Sequence, residues 1–249
     1  ISNPASPALT ATFDTAGFAF SVTLSADGNT AYIADDTSGL QIIDISNPAS
    51  PALTATFDTA GLARGVTLSA DGNTAYVADY NSGLQIIDIS NPASPALTAT
   101  FDTAGAAHGV TLSADGNTAY VADGTSGLQI IDISNPASPA LTATFDTAGL
   151  ARGVTLSADG NTAYIADGTS GLQIIDINAA VSMTVAQHNA FSGTITAAGT
   201  QTITFTDAGT ATGFSAVENY VLSSAGSNTF TLGATAQNVT GGSAADTVN

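Results

Sequence analysis

Short apolar runs alternate with turn-forming residues over the first 177 residues of the chain. One unit reads LTATFDT, ARGVTLSA, TAYVAD and GLQIIDI, and each run has the alternation or compact apolar character of a β-strand. ADGNT, between the second and third runs, carries an Asp-Gly pair that suits a tight hairpin turn. The prolines of SNPASP place that stretch in a connection or at a sheet edge. Because no segment shows helical periodicity, the pattern predicts an all-β fold.

The unit recurs almost letter for letter. The phrase ISNPASPALTATFDTAG begins at Ile1, Ile45, Ile89 and Ile133, which gives a period of 44 residues. Four antiparallel strands in each ~40–45 residues are typical of a β-propeller blade. The sequence therefore predicts a propeller of four blades, with ARGVTLS innermost, then TAYVAD and GLQIIDI, and LTATFDT outermost.

The chain starts with an outermost strand that has no blade, and its fourth unit stops before its own outermost strand. We therefore expect Ile1 to Thr15 to pair beside Gly171 to Ile177 and close the ring, since closure removes an open sheet edge. Two alternatives stay open. The whole protein contains more blades, or this strand completes a neighbouring molecule by strand exchange.

The apolar residues of the three inner runs should form the core, because neighbouring blades cover both faces of a middle strand. In the second unit these residues, whose copies lie 44 positions away, are Val66, Leu68, Tyr76, Val77, Leu84, Ile86, Ile87 and Ile89. Alternation in the outermost run predicts that Leu53, Ala55 and Phe57 point inward and that Thr54 and Thr56 face solvent.

The run LQIIDISNPASP, with ADGNTAYVAD before it, resembles the LVIVD-repeat family of bacterial and archaeal surface proteins. The resemblance covers residues 1–177. It implies a propeller fold and an extracellular or cell-surface location, and it implies no reaction.

Residues 178–249 form a second region, rich in Thr, Ser, Ala and Gly. A nine-residue spacing there favours a stacked parallel β-solenoid, with a Thr-rich β-sandwich as the alternative. One column of this spacing contains Ile203, Thr212, Val221, Phe230, Val239 and Val248. The terminal GGSAAD resembles the calcium-binding RTX nonapeptide, although Ala244 replaces a glycine. A second column, two places earlier, contains Gln201, Thr210, Asn219, Asn228, Gln237 and Asp246, of which only Asp246 is acidic. The chain ends inside this repeat, so we expect the region to be truncated.

Composition limits the partners. The chain has 20 acidic residues, two arginines and no lysine, and its net charge is -18. Such a surface repels nucleic acid and anionic membranes, so we expect neither nucleic-acid binding nor membrane insertion. Because charged residues are 9% of the chain, Thr, Ser, Asn, Gln and Gly must cover most of the surface. The absence of cysteine removes disulfides and thiolate chemistry.

Differences between the copies give the candidate sites. One equivalent position, at the start of each innermost strand, holds Phe20, Arg64, His108 and Arg152. These residues should line one mouth of the central channel, with the two arginines facing each other across it. Paired guanidinium groups suit a carboxylate or phosphate. The alternative is that the arginines neutralise nearby aspartates of the Asp14 or Asp35 type, or have drifted after duplication.

A second variable position follows an aspartate in each unit and holds Asp36, Tyr80, Gly124 and Gly168. Asp35 and Asp36 are candidate ligands for calcium, which binds several oxygens, and Asp246 is a third candidate in the C-terminal region. The alternative for such aspartates is that they anchor turns. No other cofactor is indicated.

Catalytic motifs are missing from the sequence, so we expect no enzymatic activity. Two functional hypotheses remain. The first is a structural and adhesive module of a large extracellular or cell-surface protein, such as a surface-layer or filament subunit, whose partners are its own copies, other surface proteins or glycans. The second is a propeller that binds an anionic small molecule or glycan at the channel mouth.

Overall fold

The structure is a computed structural model that describes residues 5–177 and a set of short strands beyond them. These later strands are β16 to β22: Val181–Met183, Thr202–Phe205, Thr210–Thr212, Asn219–Val221, Thr229–Thr231, Asn238–Thr240 and Thr247–Val248. The described residues are all-β apart from one 3-10 turn at Gly168–Ser170. None of their helices is long and apolar enough to span a membrane. The predicted all-β class is confirmed for this part of the chain.

Three four-stranded antiparallel sheets and one three-stranded sheet follow one another along the chain. The first sheet contains β1 (Ser21–Leu24), β2 (Thr30–Ala34), β3 (Leu40–Asp44) and β4 (Ala52–Phe57). The second contains β5 (Gly65–Leu68), β6 (Thr74–Ala78), β7 (Leu84–Asp88) and β8 (Ala96–Phe101). The third contains β9 (Gly109–Leu112), β10 (Thr118–Ala122), β11 (Leu128–Asp132) and β12 (Ala140–Phe145). The fourth contains β13 (Ala151–Leu156), β14 (Thr162–Asp167) and β15 (Leu172–Asp176). Strand order follows chain order in each sheet, as the four-run unit predicts.

The chain divides into two compact units. The first comprises residues 1–156 and 164–174, and the second comprises residues 157–163 and 175–249. In the first unit the innermost strands lie side by side, β1 against β5, β5 against β9 and β9 against β13.

The first two sheets each bury the back face, the side turned toward the next sheet, against the front face of that next sheet. Leu40 and Ile42 on the back of the first sheet pack with Val66, Val77 and Ile87 on the front of the second. The equivalent residues, 44 positions on, pack the second sheet against the third. The same interface therefore recurs because the same sequence recurs.

The ADGNT turns are held by their own side chains. Asp27 Oδ1 accepts hydrogen bonds from the Ser25 hydroxyl at 2.6 Å and from the Asn29 backbone N–H at 3.0 Å. The hydroxyl bond is the largest of the effects that lower the pKa of Asp27. Gly28 takes a φ of 72°, the left-handed conformation that glycine accepts without a steric cost. This confirms the turn predicted between the second and third runs.

A buried aspartate ties each sheet to the segment that leads into it. Asp79 Oδ1 accepts a hydrogen bond from the Thr59 hydroxyl at 2.7 Å, and its Oδ2 accepts one from the Gly61 N–H at 2.8 Å. The other sheets repeat this pattern at Asp35 with Thr15 and Gly17, at Asp123 with Thr103 and Gly105, and at Asp167 with Thr147 and Gly149. Burial raises the pKa of Asp79 and Asp123, since removal from water disfavours the charged form.

The two end faces of the stack differ from the interior. Val22 and Leu24, on the front of the first sheet, are 62% and 52% exposed, whereas Val66 is 7% exposed. Leu172 and Ile174, on the back of the fourth sheet, are 63% and 65% exposed, whereas Leu84 and Ile86 are fully buried. The core prediction therefore holds for the internal interfaces and is wrong for these end copies, because no sheet covers them.

The amino-terminal segment does not complete the fourth sheet. Residues 5–20 contain no strand, and β15 is an edge strand of its three-stranded sheet. Thr15 and Gly17 instead donate to Asp35 of the first sheet. The described residues thus differ from the predicted closed ring, and Ile1 to Pro4 lie outside them.

The prediction for the outermost strand is wrong at Leu53, which is 52% exposed. Ala55 pairs with Ile42, but the register then shifts so that Leu53 pairs with Ile43 and Thr54 is the extra residue. This β-bulge turns Leu53 to the opposite face from Ala55. The same shift occurs in β8 and β12.

The carboxyl-terminal strands pair in parallel, β16-β17-β19-β21 in one sheet and β18-β20-β22 in another. Phe230 pairs with Val248, which is two nine-residue steps further on, because the intervening member of the column, Val239, lies in the other sheet. Ile203 pairs with Tyr220 and not with Val221, so the predicted column slips by one residue there. Parallel pairing is what a solenoid requires, and the solenoid itself stays a prediction.

Candidate functional site

The first variable position lies on the inner edge of the stack, where successive sheets come closest. The backbone N–H groups of Phe20, Arg64 and His108 each donate to the neighbouring strand of their own sheet, at 2.8 to 2.9 Å. Arg152 lies within β13, whose sequence ARGVTL is the same as that around Arg64 in the second unit. All four residues line one cavity of about 290 Å³. The structure therefore brings together the four residues that the sequence selected.

Glycines allow the inner strands to approach this closely. A Cβ on Gly65 would lie 2.8 Å from the His108 carbonyl oxygen, and one on Gly109 would lie 3.0 Å from the Arg152 carbonyl oxygen. These distances are shorter than ordinary carbon–oxygen contacts. The sequence analysis did not single out these glycines, although a glycine directly after the variable position in three of four units is a signal of close backbone approach.

The second variable position of each unit lies next to the first variable position of the following unit. Asp36 forms a backbone bridge with Ala63, Tyr80 with Ala107, and Gly124 with Ala151. Each bridge places the second variable residue beside the first variable residue of the next sheet. The two positions are therefore neighbours in space, which the sequence analysis did not predict.

Asp36 and Arg64 use this proximity to form an ion pair. Arg64 Nη2 lies 3.1 Å from Asp36 Oδ1, with side chains that are 21% and 14% exposed. The Arg64 guanidinium also lies 4.0 Å from the centre of the Phe20 ring and 5.4 Å from that of Tyr80, within cation–π range. Arg64 is thus neutralised by Asp36, and not by an aspartate of the Asp14 or Asp35 type that the sequence analysis named.

His108 stacks edge-on against Tyr80, with ring centres 5.3 Å apart. Burial lowers the pKa of His108 most, and the positive charges of Arg152 and Arg64 lower it further. The imidazole is therefore mostly neutral at neutral pH. Because the pKa of His108 in the fold lies below the usual 6.5, the unfolded chain takes up this proton first, so the stability of the fold decreases as pH falls from 6.5 toward the lowered pKa.

Arg152 has a different environment from Arg64. The residue that replaces Asp36 in the third sheet is Gly124, which has no side chain to pair with it. Arg152 is exposed, and within residues 5–177 it forms no ion pair. Among the described residues, the cavity thus contains one guanidinium paired with an aspartate, one guanidinium without an acidic partner and one neutral imidazole.

The candidate calcium ligands have other partners. Both carboxylate oxygens of Asp35 accept hydrogen bonds from Thr15 and Gly17, and Asp36 pairs with Arg64. Within the described part of the chain, no three His, Cys, Asp or Glu side chains lie close enough to hold a metal ion. Asp246 lies outside the residues whose side chains are described. Calcium binding stays a prediction.

A second cavity, of about 440 Å³, lies between residues 13–16 and the outer half of the first sheet. Asp14 and Asp58 are among its lining residues, and none of the lining residues is cationic. This cavity does not suit an anion.

Stacked antiparallel sheets, ordered from an inner to an outer strand and repeated along the chain, define a protein of the β-propeller class. The model of the LVIVD repeat matches residues 1–15, 16–59, 60–103, 104–147 and 148–188. The chain therefore belongs to the LVIVD repeat family. Among curated proteins, no sequence matches it.

Solved β-propeller structures share the fold. A periplasmic gluconolactonase of Pseudomonas aeruginosa, PpgL, has a TM-score of 0.51 at 18% identity over 64% of this chain and 55% of its own. The β-propeller domain of Cps50 (Swd1) from Myceliophteria thermophila has a TM-score of 0.53 at 14% identity over 63% and 52%. A Bacteroides uniformis protein provisionally called a 6-phosphogluconolactonase has a TM-score of 0.57 at 16% identity over 64% and 50%. This chain therefore spans about half the length of each.

The expectation that the chain has no enzymatic activity is wrong as an inference about this fold. A gluconolactonase has the same fold, so missing sequence motifs do not exclude catalysis by such a protein. At 18% identity the likeness extends to the fold alone.

Proposed function

We propose that this chain is a structural and adhesive module of a large extracellular or cell-surface protein, of the surface-layer or filament kind. The observation that carries this proposal is the pair of uncovered apolar faces at the two ends of a stack of identical interfaces. An apolar sheet face needs a cover in water, and such faces mark sites of association. The proposal includes further copies, other surface proteins or glycans as partners.

The carboxyl-terminal region fits the same role. Its parallel strands stack on one another, as the repeats of a solenoid do, and residues 178–249 contain few charged side chains. In this proposal the region is a second stacking element, and Asp246 is its candidate calcium ligand.

We expect the purified chain to self-associate as its concentration rises from low micromolar to about 100 µM. Sedimentation velocity measures the mass, which should grow in steps of the 24.4 kDa chain, and electron micrographs should show a regular polymer or ring. The experiment belongs at physiological or higher salt, because a net charge of -18 makes copies repel each other at low ionic strength. A monomer at every concentration, with no binding to glycans or cell-surface material, contradicts the proposal.

A second candidate function is the binding of a small anion in the inner cavity. Arg64 and Arg152 are the only basic Lys or Arg residues of the whole chain, and both line this cavity. Arg152 has no acidic partner in the described residues, and the buried Arg64 Nε lacks a hydrogen-bond partner among them. A bound carboxylate or phosphate would supply oxygen atoms that accept hydrogen bonds from the Arg152 guanidinium and from Arg64 Nε.

Gly124→Asp should weaken this binding. Gly124 has a φ of 55° and Asp36 one of 52°, so an aspartate fits the backbone of the third sheet and can neutralise Arg152 as Asp36 neutralises Arg64. Loss of a charged hydrogen bond lowers affinity roughly 10- to 100-fold. Calorimetry with phosphate and with gluconate, a small sugar acid, measures the affinity for Gly124→Asp and for Arg152→Gln.

Gly168→Asp is the matched control, because it adds the same charge at the equivalent position of the fourth sheet, which no fifth sheet follows in the described residues. This variant should bind like the unmodified chain.

Binding should also raise the pKa of His108, since a nearby anion favours the imidazolium form, so affinity should increase as pH falls. Equal affinity in all variants, or an unchanged His108 titration by NMR, contradicts anion binding at this site.

A further inference from the structure

The amino-terminal segment has the sequence of an outer strand but pairs with no sheet in the described residues. Residues 8–13 read ALTATF, as do β4 and β8, and they show the same sequence of exposed and half-buried residues as β4. Leu9 is 84% exposed. The segment is nevertheless held in place at its end, because Thr15 and Gly17 donate to Asp35 as Thr59 and Gly61 donate to Asp79. It therefore occupies the position that an outer strand of a preceding sheet would occupy.

The fourth sheet, in contrast, lacks an outer strand in the described residues. Its edge strand β15 has the sequence LQIID of β3, β7 and β11, each of which pairs with an ALTATF strand. In those sheets a threonine hydroxyl donates to the glutamine amide oxygen, as Thr56 does to Gln41 at 2.8 Å. Gln173 keeps its own bond to the Ser170 carbonyl at 3.2 Å, but its sheet has no outer strand to supply the threonine.

The two exposed faces are the two halves of the interface that recurs inside the stack. Leu172 and Ile174 correspond to Leu40 and Ile42, which pack against Val66 on the next sheet. Val22 corresponds to Val66 and is exposed at the other end of the stack. The front of the first sheet of one molecule therefore matches the back of the fourth sheet of another.

We infer that two copies of this chain associate head to tail by strand addition. Residues 8–13 of one copy add to β15 of the other, and the front face of the first sheet covers Leu172 and Ile174. The pairing of β3 with β4 fixes the register. It places Phe13 opposite Leu172, Thr12 opposite Gln173, Ala11 opposite Ile174 and Leu9 opposite Ile175, with Thr10 as the bulge residue.

A second copy is the occupant that the sequence specifies, because both halves of the interface are present on each molecule. Backbone hydrogen bonds from the added strand and burial of the apolar face act together, as in other cases of strand addition. This chain matches 50–55% of the length of each of these solved structures, so a fold of their size has room for a second copy. The inference rests on the proposed structural function and names the partner and the contact.

Cysteine cross-linking tests the register in the full chain, which contains no native cysteine. Chains carrying Thr12→Cys are mixed with chains carrying Gln173→Cys in a glutathione buffer, and disulfide-linked dimers are measured on a non-reducing gel. The expected yield is roughly tenfold or more above that of Thr10→Cys mixed with Gln173→Cys, because pairing raises the local concentration of the matched thiols. Gln41→Cys with Thr56→Cys in one chain is the positive control for the geometry, since these residues pair within the first sheet.

Equal yields from the matched and mismatched mixtures overturn the inference. A double variant, Thr12→Cys with Gln173→Cys, that cross-links only within one chain also overturns it, in favour of a closed ring. If the chain gains mass in sedimentation while the matched mixture does not cross-link, the structural function stands and this contact is wrong. A chain that stays monomeric contradicts both.

Discussion

Ile86→Ala will lower the free energy of unfolding by about 2–5 kcal/mol, whereas Ile174→Ala will lower it by less than about 1 kcal/mol. Both isoleucines occupy the same position of the repeat, in β7 and β15. Ile86 is fully buried against the third sheet, so its truncation leaves a cavity. Ile174 is 65% exposed on the uncovered end face, so its truncation removes little buried surface.

Chemical denaturation at low protein concentration measures both values, since dilution keeps the end faces uncovered. Ile42→Ala is the second control, because Ile42 is fully buried at the equivalent internal position and should resemble Ile86. The comparison needs equal m-values, because a stack of repeats can unfold in parts. Equal losses for Ile86→Ala and Ile174→Ala would mean that something covers the fourth sheet in the monomer.

The repeated unit could be predicted from the sequence because its signals are local. The ADGNT turn fixes each hairpin through Asp27 and Gly28, and the apolar pattern of TAYVAD and GLQIID marks strands that are buried on both faces. ADGNT and GLQIID are identical in every copy, and TAYVAD changes only by having Ile33 and Ile165 in place of valine. The sheets and their strand order followed from them.

The ends of the stack could not be predicted in this way, because identical sequence gives the same prediction whether or not a neighbour covers it. Ile86 and Ile174 lie in the same local sequence, and their burial differs only through the presence of a following sheet. The bulge at Thr54 was missed for a related reason. Strict alternation predicts one face for Leu53 and Ala55, and the register shift depends on pairing with β3.

The sequence predicted which residues line the candidate site, but it did not predict which of its side chains pair with each other. Equivalent residues of a repeat occupy equivalent places, so Phe20, Arg64, His108 and Arg152 could be assigned to one cavity. Asp36 was expected to act with its sequence neighbour Asp35. In the structure the two aspartates have separate partners. Asp35 accepts hydrogen bonds from the amino-terminal segment, and Asp36 forms an ion pair with Arg64 of the next sheet.

Gly83→Ala will destabilise the protein by about 3 kcal/mol or more, whereas Gly171→Ala will cost about 1–2 kcal/mol. Both glycines have left-handed φ values, 68° and 72°, and an alanine pays the conformational cost at either position. At Gly83 the added Cβ would also collide with the segment that follows β8, where it would lie 2.6 Å from the Thr103 backbone nitrogen and closer still to the Phe101 carbonyl oxygen. At Gly171 no atom lies within 4 Å of the added Cβ.

The difference in stability between these two variants reports whether an outer strand lies next to the glycine. The same residue is replaced in the same local sequence, and the outer strand is present in one of the two sheets only. Thermal or chemical unfolding of the monomer should show it, and Gly39→Ala should behave like Gly83→Ala, since its Cβ would lie 2.7 Å from the Thr59 backbone nitrogen. If copies pair through β15, the methyl group at position 171 will meet the added strand of the partner, so Gly171→Ala will weaken self-association while leaving the monomer nearly as stable. A Gly171→Ala variant as unstable as Gly83→Ala in the monomer would place an outer strand on β15 within the same chain.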